Sequence, residues 1–130
     1  MRKDTESFLS SSEYDLTTAK YMLETGRYVY VIFMCHMAIE KTLKAIIAEV
    51  TDKVPPRTHN LIYLIKIADL HIPQDSFDFV AKINNASVVT RYPEDFKRLL
   101  EDYPEDIAKE YLKNTEKVLQ WLRQNEKLKQ

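Results

Sequence analysis

The most hydrophobic stretch of the chain runs from Tyr28 to Glu49, and its pattern of apolar and polar positions predicts one long central helix. Its start, RYVYVIF, also has the β-branched and aromatic character of a strand. Length favours the helix, because no Gly or Pro occurs between Tyr28 and Pro55 and the stretch would form about six turns. Since the stretch is apolar on nearly all sides, we expect it at the centre of a bundle, where its charged residues need partners or a cleft.

Apolar residues that recur every three or four positions predict three other long helices. The first spans Thr5 to Glu24 and ends before Gly26, whose left-handed backbone would stop it. Another spans about Ser76 to Val89, and the last begins near Pro104 and carries a long apolar seam. The predicted fold class is therefore all-α: an up-and-down bundle of four main helices and one short helix, forming a single domain over residues 1–130.

Proline marks the connections between these helices. The segment TDKVPPRTHN, residues 51–60, should end the central helix and form an exposed connection. Asn60 is the predicted N-cap of the short helix, whose buried face is Leu61, Leu64, Ile65 and Ala68. Between Thr90 and Pro104 we expect a structured loop with one helical turn around residues 96–100, and we expect the tail NEKLKQ to fray.

Several large side chains have no place in the predicted core. They are Tyr14, Tyr21, Tyr28, Tyr30, Trp121 and some of the methionines. Part of this set should form a surface patch, and such patches typically serve self-association.

Composition narrows the function classes. The chain has one Gly, which argues against sheet-rich folds and against Gly-rich phosphate loops. Its 19 basic and 20 acidic residues give a net charge of −1, so no overall field draws it to nucleic acid or to a membrane. Cys35 is the only cysteine and should be a small buried hydrophobe. The start, MRKDTESF, lacks the apolar stretch of a secretory signal, so we expect a cytoplasmic location.

Candidate chemistry begins with a charged stripe on the central helix. At about 100° per residue, His36, Glu40 and Lys44 share one face, with Lys41 at its margin. The order Glu40 then Lys44 favours a helical ion pair. The stripe is either the solvated edge of the helix or the lining of a cleft, and its apolar surroundings argue for the cleft.

Two further clusters could reach the same end of the bundle, namely Arg57 with His59 and Arg91 with Tyr92. Arg91 and Lys44 would then offer charge to a phosphate or carboxylate, and Tyr92 would offer a ring for stacking. The alternative for Arg91 is a structural pair with Glu40. No Gly-framed serine and no ligand-spaced histidines occur, so we predict neither nucleophilic catalysis nor a metal site, and no cofactor.

The segments CHMAIEKTLKAIIAE, PPRTHNLIYL and VVTRYPED, in that order, resemble the HEPN domain, a helical module named for nucleotide binding in higher eukaryotes and prokaryotes. The resemblance covers essentially the whole chain. It implies a four- or five-helix bundle, usually a homodimer, often encoded as partner of a small nucleotidyltransferase in a toxin–antitoxin-like pair. Many members are metal-independent ribonucleases with an Arg, four to six residues, and then a His. This spacing is absent here, so the resemblance is to a branch without that motif.

The function expected from the residues and the resemblance is a non-catalytic HEPN dimer that binds a nucleotide or another phosphorylated ligand. The predicted ligand-binding residues are Glu40, Lys41, Lys44, Arg57, His59, Arg91 and Tyr92. In this hypothesis Glu40 orients the cations and His59 donates a hydrogen bond at the mouth of the pocket. One alternative is a ribonuclease with a composite site across the dimer interface, led by His59 with Arg57 or Arg91, although the net charge does not favour RNA. The other is a purely structural cluster.

Overall fold

The computed structural model describes residues 1–129, which form six α-helices, a final 3₁₀ turn and no strand. The helices are α1 Lys3–Glu24, α2 Tyr28–Thr51, α3 Leu61–Ala68, α4 Gln74–Arg91, α5 Phe96–Asp102 and α6 Glu105–Arg123. The predicted all-α class is confirmed. The four long helices are those predicted from the apolar pattern, and α5 is a second short helix in addition to α3.

Helices α1 and α2 form an antiparallel pair joined by a tight turn. Gly26 adopts φ +76° in this turn, the left-handed conformation that its sequence position predicted. Contacts along the pair run in opposite directions. The Arg2 backbone N–H donates to Glu49 Oε1 at 2.7 Å near one end, and the Ser12 hydroxyl donates to the Ala38 carbonyl at 2.8 Å further along.

The core surrounds α2, whose Ile32, Ile39, Leu43 and Ile46 side chains have no exposed surface. Helices α1, α3, α4 and α6 supply the residues that pack around it. In α6 the predicted seam is buried from Ala108 to Leu122, with Ile107 half-buried. Cys35 is fully buried, as predicted, and burial raises the pKa of its thiol to about 12.

The start of α3 confirms the cap predicted at Asn60. Its side-chain oxygen accepts hydrogen bonds from the backbone N–H groups of Ile62 at 3.1 Å and Tyr63 at 3.2 Å. The Leu61 N–H donates instead to Asn84 Oδ1 of α4, at 2.9 Å. The first turn of α3 therefore has its free donors satisfied and is tied to α4.

Replacing Asn60 with alanine should lower the free energy of unfolding by about 1 kcal/mol, because two backbone donors lose their acceptor. The measurement is urea unfolding followed by circular dichroism. Asn85→Ala is the matched control, since Asn85 is exposed within α4. Equal stabilities of the two variants would contradict a role for the cap.

Three segments differ from the sequence prediction. Helix α4 continues to Arg91 instead of ending near Val89, and α5 extends the single expected turn to seven residues. Asp95 makes this possible, because its carboxylate caps α5 by accepting from the Arg98 N–H at 3.1 Å. The tail prediction is wrong for residues 125–129, since Glu126–Lys129 form a 3₁₀ turn and Leu128 packs on the core; Gln130 lies outside the described residues.

Candidate functional site

A buried carboxylate, Glu40, lies at the centre of a polar cluster on α2. Its side chain is 3% exposed. His59 Nδ1–H donates to Oε1 at 2.7 Å, and Lys44 Nζ lies 3.2 Å from Oε2, one helical turn further along α2. The predicted Glu40–Lys44 ion pair is thus confirmed. The connection before α3 supplies His59, so this cluster fixes that connection against α2.

His36 supports the same cluster from one turn earlier in α2. Its Nε2–H donates to the backbone carbonyl of His59 at 2.9 Å, and its Nδ1 lies 4.0 Å from Glu40 Oε1 with no hydrogen-bond partner among residues 1–129. Because a carbonyl only accepts, the proton of the neutral ring is on Nε2. Burial lowers the pKa of His36 to about 4, which keeps the ring neutral at neutral pH.

His59 is therefore held at two points, by its ring nitrogen and by its carbonyl. Since Glu40 takes the Nδ1–H, the neutral ring keeps its lone pair on Nε2. The side chain is 61% exposed, so Nε2 can accept a hydrogen bond or a proton from a bound molecule. Donation by His59 to a ligand, as expected from the sequence, requires the protonated ring.

Arg91, the last residue of α4, lies beside this cluster but does not pair with Glu40. Its Cζ is 4.8 Å from the centre of the Phe33 ring, and its Nη2 donates a long contact of 3.5 Å to Met37 Sδ. Its buried Nε has no hydrogen-bond partner, and no carboxylate within residues 1–129 lies within 4.0 Å of the guanidinium. The structural pair with Glu40 is thus not formed.

Arg91 faces a groove of about 690 Å³ between the start of α2 and the end of α4. Aromatic rings form much of its wall, namely Tyr30, Phe33, Tyr92 and Phe96. The lining is mainly apolar, and Arg91 is its charged group. A recess of this kind suits a ligand that combines a planar ring with an anionic group.

The seven predicted residues therefore fall into separate places. Glu40, Lys44 and His59 meet in one cluster, and Arg91 and Tyr92 line the neighbouring groove. The two lie close together, since Arg91 contacts Met37, which follows His36 in α2. Lys41 and Arg57 lie outside both groups. Lys41 Nζ contacts Asp15 at 2.7 Å and Ser11 Oγ at 2.6 Å on α1, whereas Arg57 is exposed without an ion pair inside residues 1–129.

Sequence reasoning missed the residues that hold Arg91. Phe33 and Met37 are four positions apart on α2, so they share a face of that helix. This spacing was available in the sequence, but nothing in it showed that α4 would place a guanidinium over that face. Helical spacing places His36 in the charged stripe, but it does not indicate that the His36 ring holds the His59 carbonyl.

Other features of the surface carry less chemistry. A groove of about 890 Å³ between α1 and α6 is lined largely by charged residues and contains none of the predicted site residues. Within residues 1–129 no three His, Cys, Asp or Glu side chains are grouped so that they could hold a metal ion. None of the helices in that part of the chain is long and apolar enough to cross a membrane.

These observations define a helical-bundle protein in which a Glu–His–Lys cluster, centred on the buried Glu40, lies beside an aromatic groove. The chain belongs to the HEPN domain family, whose match covers residues 5–126. The relative named "Putative toxin MJ1304" from Methanocaldococcus jannaschii is 32% identical over 127 residues, which cover 87% of this chain and 82% of that protein.

Two solved structures share the fold. TT1696 from Thermus thermophilus is 20% identical, with a TM-score of 0.77 over 94% of this chain and 98% of that one. ST0689, an archaeal HEPN homologue, is 21% identical, with a TM-score of 0.75 over 95% of this chain and 97% of that one. These similarities establish the shared helical fold.

Proposed function

We propose that this HEPN-family protein is one half of a toxin–antitoxin-like pair, that it binds a nucleotide or another phosphorylated ligand without catalysis, and that it acts with a small nucleotidyltransferase. The relative with the name "Putative toxin MJ1304" supports the first element. The family resemblance supports the nucleotidyltransferase partner. The observation that carries ligand binding is the guanidinium of Arg91, which faces an aromatic groove without a carboxylate partner among residues 1–129.

Arg91 has the features of an anion receptor. A buried N–H without an acceptor costs about 1–3 kcal/mol, and a thioether sulfur is a weak substitute for an oxygen. A phosphate would supply oxygens in the geometry that a guanidinium binds through two parallel hydrogen bonds. A ligand phosphate therefore gives Arg91 the partner that its own chain does not provide.

The groove walls favour a ligand with a ring. Tyr30, Tyr92 and Phe96 offer aromatic faces close to the guanidinium. Stacking of a base on such a ring contributes about 1–3 kcal/mol and tolerates different bases. The combination of ring and cation is suited to a nucleotide, with its base against the aromatic wall and its phosphate on Arg91.

Replacing Arg91 with methionine should weaken nucleotide binding by a factor of about 10 to 100, the effect of losing charge-assisted hydrogen bonds. The measurement is calorimetric titration of the protein with nucleoside mono-, di- and triphosphates. Arg98→Met is the matched control, because Arg98 lies in the neighbouring groove on α5. Its affinity should equal that of the wild type.

Three outcomes would count against this site. Unchanged affinity in Arg91→Met would contradict it directly. A large loss of thermal stability with no effect on binding would assign Arg91 a structural role. Failure of the wild type to bind any nucleotide would overturn a nucleotide site formed by this chain alone. The next experiment would then test whether a nucleotidyltransferase co-purifies with the protein.

The ribonuclease alternative rests on a different observation, the Glu40–His59 hydrogen bond of 2.7 Å, which leaves Nε2 of an exposed ring available to accept a proton. In that case the purified protein cleaves RNA with metal chelator present, and His59→Ala abolishes cleavage. Cleavage that survives in His59→Ala, or no cleavage by the wild type, would exclude it.

A further inference from the structure

The groove that contains Arg91 has one charged side chain in its wall. Among the described residues that line it, the others are apolar or carry only a hydroxyl group. The lysines of the neighbouring cluster and of α1 contacts are already paired, since Lys44 Nζ lies 3.2 Å from Glu40 Oε2 and Lys41 Nζ lies 2.7 Å from Asp15 Oδ2. A ligand in the groove therefore meets a single guanidinium as its cation.

The neutral side-chain donors of the groove are also few. Thr18 Oγ1 donates to the Tyr14 carbonyl at 2.9 Å, and Thr90 Oγ1 donates to the Ser87 carbonyl at 3.2 Å. Both threonine hydrogens are thus used within their own helices. The phenol groups of the wall remain, and they are uncharged. The side chains of the groove can bind one phosphate through Arg91, but they offer no cation to a second.

Beyond Tyr92 the surroundings of the groove are negative. A second groove of about 470 Å³ shares Tyr92 and Pro93 with the first, and its lining contains three carboxylates against one guanidinium. These charged residues are Glu94, Asp95, Asp102 and Arg98. None of the three carboxylates has an ion pair within residues 1–129. A chain of phosphates that extended past Tyr92 would approach this negative charge and be repelled by it.

Divalent cations do not remove this difficulty inside the groove. Nucleoside di- and triphosphates commonly carry Mg²⁺, which proteins hold through one or two carboxylates together with the phosphate oxygens. The lining of the Arg91 groove, as far as the structure describes it, contains no carboxylate. The groove is therefore built for an anion that a guanidinium can bind alone.

We propose that the Arg91 groove selects nucleotides with a single phosphate group, the nucleoside monophosphates, and binds them without a divalent cation. This inference rests on the nucleotide binding proposed above and adds the class of nucleotide. One guanidinium binds two oxygens of one phosphate through parallel hydrogen bonds, while the base lies against the aromatic wall. A second or third phosphate adds charge without gaining a partner, so each lowers the affinity.

The experiment is calorimetric titration of the purified protein with adenosine, AMP, ADP and ATP, each with and without Mg²⁺. AMP should bind at least about 10-fold more tightly than ATP, the effect of placing like charges a few ångströms apart near a protein surface. Adenosine should bind more weakly than AMP, because it leaves the guanidinium without an anion. Addition of Mg²⁺ should leave the affinity for AMP unchanged.

The variant that tests the cause of this preference is Glu94→Gln/Asp102→Asn, which removes two of the three carboxylates. The ratio of ATP to AMP dissociation constants should fall to about 3 or less, because less negative charge opposes the longer phosphate chain. Asp95 is kept, since its carboxylate caps α5. Glu101→Gln/Glu110→Gln is the charge-matched control at two exposed glutamates that line neither groove, and it should keep the wild-type ratio.

The outcomes separate this inference from the nucleotide site itself. If none of the nucleotides binds, the proposed site and the inference are both overturned. If ADP or ATP binds as tightly as AMP, with or without Mg²⁺, the preference for one phosphate is overturned and nucleotide binding stands. An affinity for adenosine equal to that for AMP, or AMP binding that requires Mg²⁺, would also overturn the inference. A wild-type ratio in Glu94→Gln/Asp102→Asn would refute repulsion by the second groove as its cause.

Discussion

Replacing Glu40 with alanine is expected to destabilise the protein by about 3–5 kcal/mol, the usual cost of breaking a buried ion pair from one side. The carboxylate is 3% exposed and receives both His59 Nδ1–H and Lys44 Nζ. Without it Lys44, whose side chain is only 12% exposed, keeps its charge away from water with no counter-charge at that point. The connection carrying His59 also loses its attachment to α2. Chemical denaturation at neutral pH gives the free energy, and the melting temperature should fall by about 10 °C or more.

The control for Glu40→Ala is Glu105→Ala. Glu105 and Lys109 form the same helical pair, with Oε1 and Nζ 3.0 Å apart, but both side chains are more than half exposed. An exposed pair of this kind contributes less than about 1 kcal/mol, because water screens the charges. A small loss in Glu105→Ala beside a large loss in Glu40→Ala would show that burial, and not pairing alone, sets the cost. Equal losses in the two variants would refute the account of the cluster.

The fold could be predicted from the sequence because each helix is encoded locally. The apolar stretch of α2, the left-handed Gly26 and the Asn60 cap each act within a few residues, and each occurs where predicted. The length of α5 is underestimated from the sequence, because the helix signal in this segment is weaker. It depends on one capping carboxylate, Asp95, in a segment bounded by two prolines that favoured a loop.

The candidate site was only partly predictable, because its contacts join residues far apart in the chain. The pairing of Glu40 with Lys44 follows from helical spacing and was predicted. The choice of His59 as the second partner of Glu40, and the position of Arg91 over Phe33, depend on how α3 and α4 pack on α2. Periodicity specifies which face of a helix is buried, but it does not specify which residue of another helix meets it.

Acid should destabilise this protein through His36, and the loss should be about 3 kcal/mol between pH 7 and pH 4. The histidine has a folded-state pKa of about 4, against an ordinary value of 6.5 in the unfolded chain. Between these values the unfolded state binds more protons, so the free energy of unfolding falls as pH falls from 6.5 to 4. Above pH 7 both states are neutral at this residue and the effect disappears.

The variant that isolates this effect is His36→Gln, whose amide N–H can still donate to the His59 carbonyl but does not titrate. Glu40 and His59 are ionisable groups that lie beside the ring, so the informative quantity is the difference between wild type and variant at each pH. His36→Gln should be the less stable protein at pH 7 and should lose less stability on acidification. His71→Gln, at an exposed histidine, is the control and should follow the wild-type curve. If the free energy of unfolding of the wild type changed with pH in parallel with that of His36→Gln, burial would not oppose protonation of His36. That result would refute the view that a neutral His36 positions His59.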